Sequence, residues 1–104
     1  MLRLDNRRRA PRFNNPLTVE CNGFRATLLN LSHDGARLML EDDSPMLRLR
    51  MGLGAHEVSM LAEVVWSEQW GGRRVVGVTF FGMSDHTRTV VRSWLTKQLT
   101  PTAA

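Results

Sequence analysis

The chain has a single cysteine, Cys21, and a single lysine, Lys97. One cysteine excludes an internal disulfide and any zinc site built from several thiolates. No run of ~18 apolar residues is present to cross a bilayer. Met1 opens a segment dense in charge rather than an apolar run, so no signal peptide is read there. A cytoplasmic protein without membrane contact is the expectation. The three histidines, His33, His56 and His86, fall on separate turns or element ends, with no His-x-x-x-His or Cys–His spacing. No metal is therefore expected. Ser32 and His33 are neighbours in sequence, but a nucleophile and its base need convergent geometry, which adjacency does not supply. Asp42 and Asp43 read as a solvated turn with no partner to raise one carboxyl. There is no Gly-rich phosphate loop, internal repeat or low-complexity linker. An enzyme is the least favoured class, and no catalytic residue is assigned.

What remains is a small basic domain. At 104 residues, 42% hydrophobic and 23% charged, the chain is long and apolar enough for one core. It leaves little room for a deep cleft between lobes. Fourteen basic residues face 10 acidic ones, for a net charge of +4, and all the basic residues except Lys97 are arginine. The guanidinium fork grips phosphates and purine edges at two points, whereas lysine is a hydrated point charge. An arginine-only bias therefore hints at anion or base recognition; a GC-rich genome is the plain alternative.

Residues 1–15 read as a polar arm. It carries Arg3, Arg7, Arg8, Arg9 and Arg12 against one acid, Asp5, and Pro11 discourages a continuous helix. Residues 16–100 read as the folded domain. Leu17–Cys21 alternates with period two, and Asn22-Gly23 is a strong hairpin signal. Further strands are expected over 24–31, 35–40, 46–51, 58–66 and 73–81, with Gly52-Leu53-Gly54 and Gly71-Gly72 as breaks. About six short strands suit a closed barrel or a sandwich, since closure removes edges. From Ser84 the period changes: Val90, Val91, Trp94, Leu95 and Leu99 share one helical face. Ser84 or Asp85 caps that helix and Pro101 stops it. Trp66, Trp70, Phe80 and Phe81 read mostly as core or rim, so no aromatic platform is evident.

Two clusters stand out. Arg8 and Arg12 are four apart, with Pro11 between them; alone they read as a basic tail or polyanion anchor. Asn30-Leu31-Ser32-His33-Asp34-Gly35 joins two strands. Asn offers donor and acceptor, Ser an adaptable hydroxyl, and Gly a positive φ or room for close approach. Alone it reads as a well-formed turn. Together, in order and one hairpin apart, the two resemble the PilZ domain family of bacterial cyclic di-GMP receptors. Arg8…Arg12 match its Arg-x-x-x-Arg, and Asn30…Gly35 match its Asp/Asn-x-Ser-x-x-Gly. Ala62–Trp66, Val76–Phe80 and the helix resemble its later elements.

The resemblance implies a six-stranded antiparallel β-barrel with a C-terminal helix. It implies a ligand site of Arg7, Arg8, Arg12, Asn30, Ser32 and Gly35. The implied ligand is cyclic di-GMP, taken as an intercalated dimer on account of Arg7. Binding would order the arm over the barrel and signal to an effector protein that the sequence does not name. Two alternatives are weighed: a nucleic-acid-binding module using the basic arm, disfavoured because the remaining arginines are scattered, and a PilZ-like adaptor that contacts proteins without ligand.

Overall fold

The structure is a computed structural model and describes residues 15–99. Arg7, Arg8 and Arg12, almost all of the arm, and the helix stop expected at Pro101 lie outside the described residues.

Six strands and a helix follow one another: β1 Leu17–Cys21, β2 Phe24–Leu31, β3 Gly35–Leu40, β4 Met46–Leu53, β5 His56–Trp70, β6 Arg73–Phe81 and α1 Asp85–Leu99. The strands form a closed antiparallel barrel in the order β1-β2-β3-β6-β5-β4, with β4 returning to β1. Alternation produces the core. In β4, Leu47, Leu49, Met51 and Leu53 point inward, all at or below 2% exposure, while Arg48 and Arg50 face out. Leu28, Leu31, Leu38 and Val76 meet them from other strands. Burying such side chains contributes roughly 1.5–3 kcal/mol each.

The β1–β2 turn forms as its dipeptide demands, with Asn22 at φ 53° and Gly23 at φ 88°. Ser84 caps α1: its hydroxyl accepts the Thr87 N–H at 3.1 Å. Val90, Val91 and Leu95 join the barrel core, and Trp94 packs against it.

Three features differ from the sequence reading. First, β4 and β5 are longer than expected. Leu53 stays in phase with the buried row, so the break narrows to Gly54-Ala55, with Gly54 at φ 66°. β5 also continues to Trp70 as an exposed extension paired with β6.

Second, the acidic turn is tied down rather than simply solvated. Asp42 accepts from Asn22 Nδ2 at 2.7 Å and from the Ser44 N–H at 3.0 Å. The buried Arg74 donates to the carbonyls of Asp42 and Ser44. The Asn22 amide, then Ser44, hold the Asp42 carboxyl below its ordinary range.

Third, two bulges interrupt the alternation. In β2 the register moves from Leu28↔Leu38 to Asn30↔Arg37, leaving Leu29 as an extra residue. In β5 it moves from Val64↔Val78 to Trp66↔Gly77, leaving Val65 as an extra residue. Each extra residue reverses the face of everything beyond it.

Candidate ligand-binding site

The turn between β2 and β3 holds the second motif. Its conformation is fixed from within. The Ser32 N–H donates to the Gly35 carbonyl at 2.9 Å, and the Ser32 hydroxyl lies 2.9 Å from Asp34 Oδ1 and 3.2 Å from the Gly35 carbonyl oxygen. Ser32 is fully buried. The Asp34 carbonyl accepts the Phe80 N–H at 3.0 Å, which fastens the turn to β6. His33 and Asp34 are exposed at its tip.

Gly35 serves a different end from a positive φ. The glycines in that region are Gly23, Gly54, Gly71 and Gly82; Gly35 is ordinary strand. A Cβ added to it would collide with the Val78 carbonyl oxygen. Its bare Cα lets β3 lie close against β6 directly beside the turn.

The bulges decide what accompanies the turn. Counting by two from Leu28 would send Asn30 into the core and Leu31 outward. The bulge at Leu29 reverses both: Leu31 is buried and Asn30 stands opposite the outward-facing Arg37. Counting by two from Val58 would likewise send Trp66 inward. The bulge at Val65 turns it out, 41% exposed and opposite Gly77. Because Arg37 also pairs with Gly77, Asn30, Arg37, Gly77 and Trp66 form one row across β2, β3, β6 and β5 on the outer face. Gly77 has no side chain, and the Trp66 indole occupies the space its Cβ would take. The Arg37 guanidinium carbon lies 5.3 Å from the Trp66 ring centroid. A surface cleft of about 370 Å³ beside this row is lined by Asp34, Gly35, Arg37, Trp66 and Thr79 among others.

Thus Asn30, Ser32 and Gly35 come together at one end of this outer face, with Asn30 only 9% exposed. Arg37 and Trp66 were missed as members of the region. The one signal for them was Gly77, a glycine in an otherwise Val- and Phe-rich strand. The larger cavity, about 500 Å³, opens at the other end of β2, between Phe24, Met39 and Asp42. Among the described residues, none of the motif residues lines it. Cys21 lines it, and burial, with Asp42 adding, pushes its thiol up to about 11. Among the described residues no cluster of three or more His, Cys, Asp or Glu could hold a metal, and no helix is long and apolar enough to cross a membrane.

A closed β-barrel with an internally hydrogen-bonded motif turn and a cleft beside it is a layout in which a ligand can be held. The PilZ domain family model matches residues 6–97, and the chain belongs to that family, one of cyclic di-GMP receptors and adaptors. Among solved structures it is similar to the inhibitor of motility MotI/DgrA of Bacillus subtilis, with a TM-score of 0.72 and 18% identity. That match covers 92% of this chain and 53% of the other, so this chain spans about half the length of that neighbour. At that identity the likeness is one of fold. No match is found among curated proteins.

Proposed function

We propose that this chain binds cyclic di-GMP itself, through Arg7, Arg8 and Arg12 together with the Asn30–Gly35 turn, and passes the signal to a protein partner. The observation that carries this reading is where the chain enters the barrel. Leu17 pairs with Leu28, two residues before Asn30. Arg12 lies five residues before Leu17, a reach of up to ~17 Å, so the arginines can arrive over the turn. Guanine offers O6 and N7 to an arginine fork, and phosphates favour the same side chain. Asn30 contributes a donor and an acceptor at the barrel wall. Ser32, with its hydroxyl engaged inside the turn, and Gly35, which seats β3 on β6, act as positioning residues.

The energetics are adequate. Micromolar binding requires about 8 kcal/mol. Charge-assisted hydrogen bonds contribute roughly 1.5–3 kcal/mol each, so four to six of mid-range strength, with base stacking added, exceed it. The surplus offsets about 1–2 kcal/mol for every arm residue that becomes fixed. Arg7 adds a third cation, which suits two stacked ligands.

Titration calorimetry with cyclic di-GMP tests the reading. Wild type should bind near micromolar, with two ligands per chain, and Arg8→Ala should lose at least tenfold in affinity. No heat from wild type, or an unchanged Arg8→Ala, overturns it. The exposed Trp66 and Trp70 favour a second reading, binding of single-stranded nucleic acid. That reading requires gel shifts that weaken steeply between low and physiological salt.

A further inference from the structure

We infer that the outer face of β4, β5 and β6 is a self-complementary surface on which a second copy of this chain docks about a twofold axis. The inference stands apart from the proposed function and uses none of its residues. It begins from the apolar side chains that the barrel leaves in water. Met46 is 48% exposed, Leu61 39% and Phe81 38%. Alternation calls for polar residues at these outward positions. Their outward neighbours obey that pattern, as Arg48, Arg50, Ser59 and Glu63 do. Exposed apolar residues that adjoin one another and are rimmed by polar ones mark a surface made for contact.

The register fixes their arrangement. Met46 pairs with Glu63 and Arg48 pairs with Leu61, so the four make a rectangle on the outer wall. Its sides are about 4.8 Å across the strands and about 6.8 Å along them. The two apolar residues occupy one diagonal and the two charged residues the other. Phe81, opposite Leu61, widens the apolar part onto β6. Among the described residues neither Arg48 nor Glu63 takes part in an ion pair, whereas Arg50, Arg73 and Arg74 do.

That pattern selects the occupant. In an isologous pair the same patch meets itself, so contacts come in reciprocal sets. A twofold axis laid along the Met46–Leu61 diagonal sets each of these residues beside its own copy. The same rotation exchanges the charged corners, bringing Arg48 of each copy to Glu63 of the other. Two ion pairs then flank an apolar centre, as a polar rim does in a specific interface. The chain's own residues 1–14 match the face less well. Their five arginines against one acid suit an acidic surface, and this one carries a charge of each sign. The face lies beside the site turn, since Glu63 is opposite Thr79 and Thr79 is opposite Gly35, but it shares no residue with that turn.

The experiment is sedimentation velocity on the full chain without ligand, from ~5 to ~500 µM, with circular dichroism to check each variant's fold. The patch is small, so the expected dissociation constant is on the order of 10–100 µM. Leu61→Asp should stay monomeric. Arg48→Glu alone and Glu63→Arg alone should each weaken pairing by at least about tenfold, because each sets like charges together twice. Mixed in equal amounts, those two variants should dimerise as wild type does, since one copy then presents two acids and the other two arginines. The double variant should recover in the same way. If Leu61→Asp does not fold, the mixing experiment decides the matter. A wild type that stays monomeric at the highest concentration overturns the inference. So does a dimer that either single reversal leaves intact, or one that mixing does not restore.

Discussion

At the scale of single residues, the site turn owes its shape to Gly35 and Ser32, and Gly35 is the less replaceable. Gly35→Ala sets a methyl against the Val78 carbonyl oxygen, where only backbone movement relieves the contact. Overpacking of this kind costs about 1–3 kcal/mol. Urea unfolding should show that loss even without ligand, as a lower midpoint at unchanged slope. At the opposite end of the barrel, Asn22 makes two short side-chain hydrogen bonds: its amide donates to Asp42 and its carbonyl oxygen accepts from the Arg48 N–H at 2.8 Å. Asn22→Gly keeps the positive φ without strain, so it isolates the side chain. The expected cost is about 1–2 kcal/mol at neutral pH, from two hydrogen bonds. Because Asp42 is held below its ordinary range, its contribution is complete above the unfolded carboxylate value of ~3.9. It is lost as pH falls through the lower folded value. The gap between wild type and Asn22→Gly, followed by unfolding at stepped pH, should therefore narrow in acid; a gap that widens below pH ~4 contradicts the assignment. Cys21 is 1% exposed with its thiol raised to about 11, so a thiol reagent at pH ~8 should label it only after unfolding.

At the scale of elements, what the sequence revealed and what it concealed follow from the same periodicity. Alternation in β4 and the Asn22-Gly23 turn can be read by eye, because each depends on residues close in the chain. The helix face can be read the same way, and so can the motif at 30–35. The bulges cannot. Leu29 and Val65 look like ordinary strand residues, and only the partner strand's register shows that neither is paired. Alternation carried through Val65 assigns Trp66 to the interior, which is why an exposed platform was not expected. The same blindness hid Arg74: beside Arg73 it reads as another surface cation, yet the barrel buries it to fasten the acidic turn. The bulge has a direct test. Deleting Val65 should leave Trp66 next after Val64, opposite Gly77 and still outward. Acrylamide quenching of Trp66 in a Trp70→Phe/Trp94→Phe background should be unchanged by the deletion; an indole that becomes protected contradicts the bulge. Ser84→Ala offers a milder check on α1, at about 1 kcal/mol for a lost N-cap.

At the scale of the whole molecule, the barrel is not equally closed all the way round. β4 and β5 pair continuously from Met46↔Glu63 to Leu53↔His56, whereas β1 and β4 share only Glu20↔Arg50 and Cys21↔Leu49. Among the described residues, the Leu17 end of β1 therefore has β2 as its ladder partner and none on the β4 side. Local opening is expected where the fewest hydrogen bonds must break, so β1 should exchange its amide hydrogens before β5 and β6. This seam adjoins the site, since Leu17 lies opposite Leu28, next to the first bulge. A ligand held jointly by Arg8, Arg12 and Asn30 would join the chain ahead of β1 to the end of β2, spanning the strand with least support. Hydrogen exchange read by mass spectrometry should then show cyclic di-GMP slowing β1 and the 30–35 turn together. The tip of the β5–β6 hairpin, at Gln69–Arg73, should be unaffected. Protection of the turn without β1 would mean that the arginines do not close over the ligand, and that the barrel wall binds it alone.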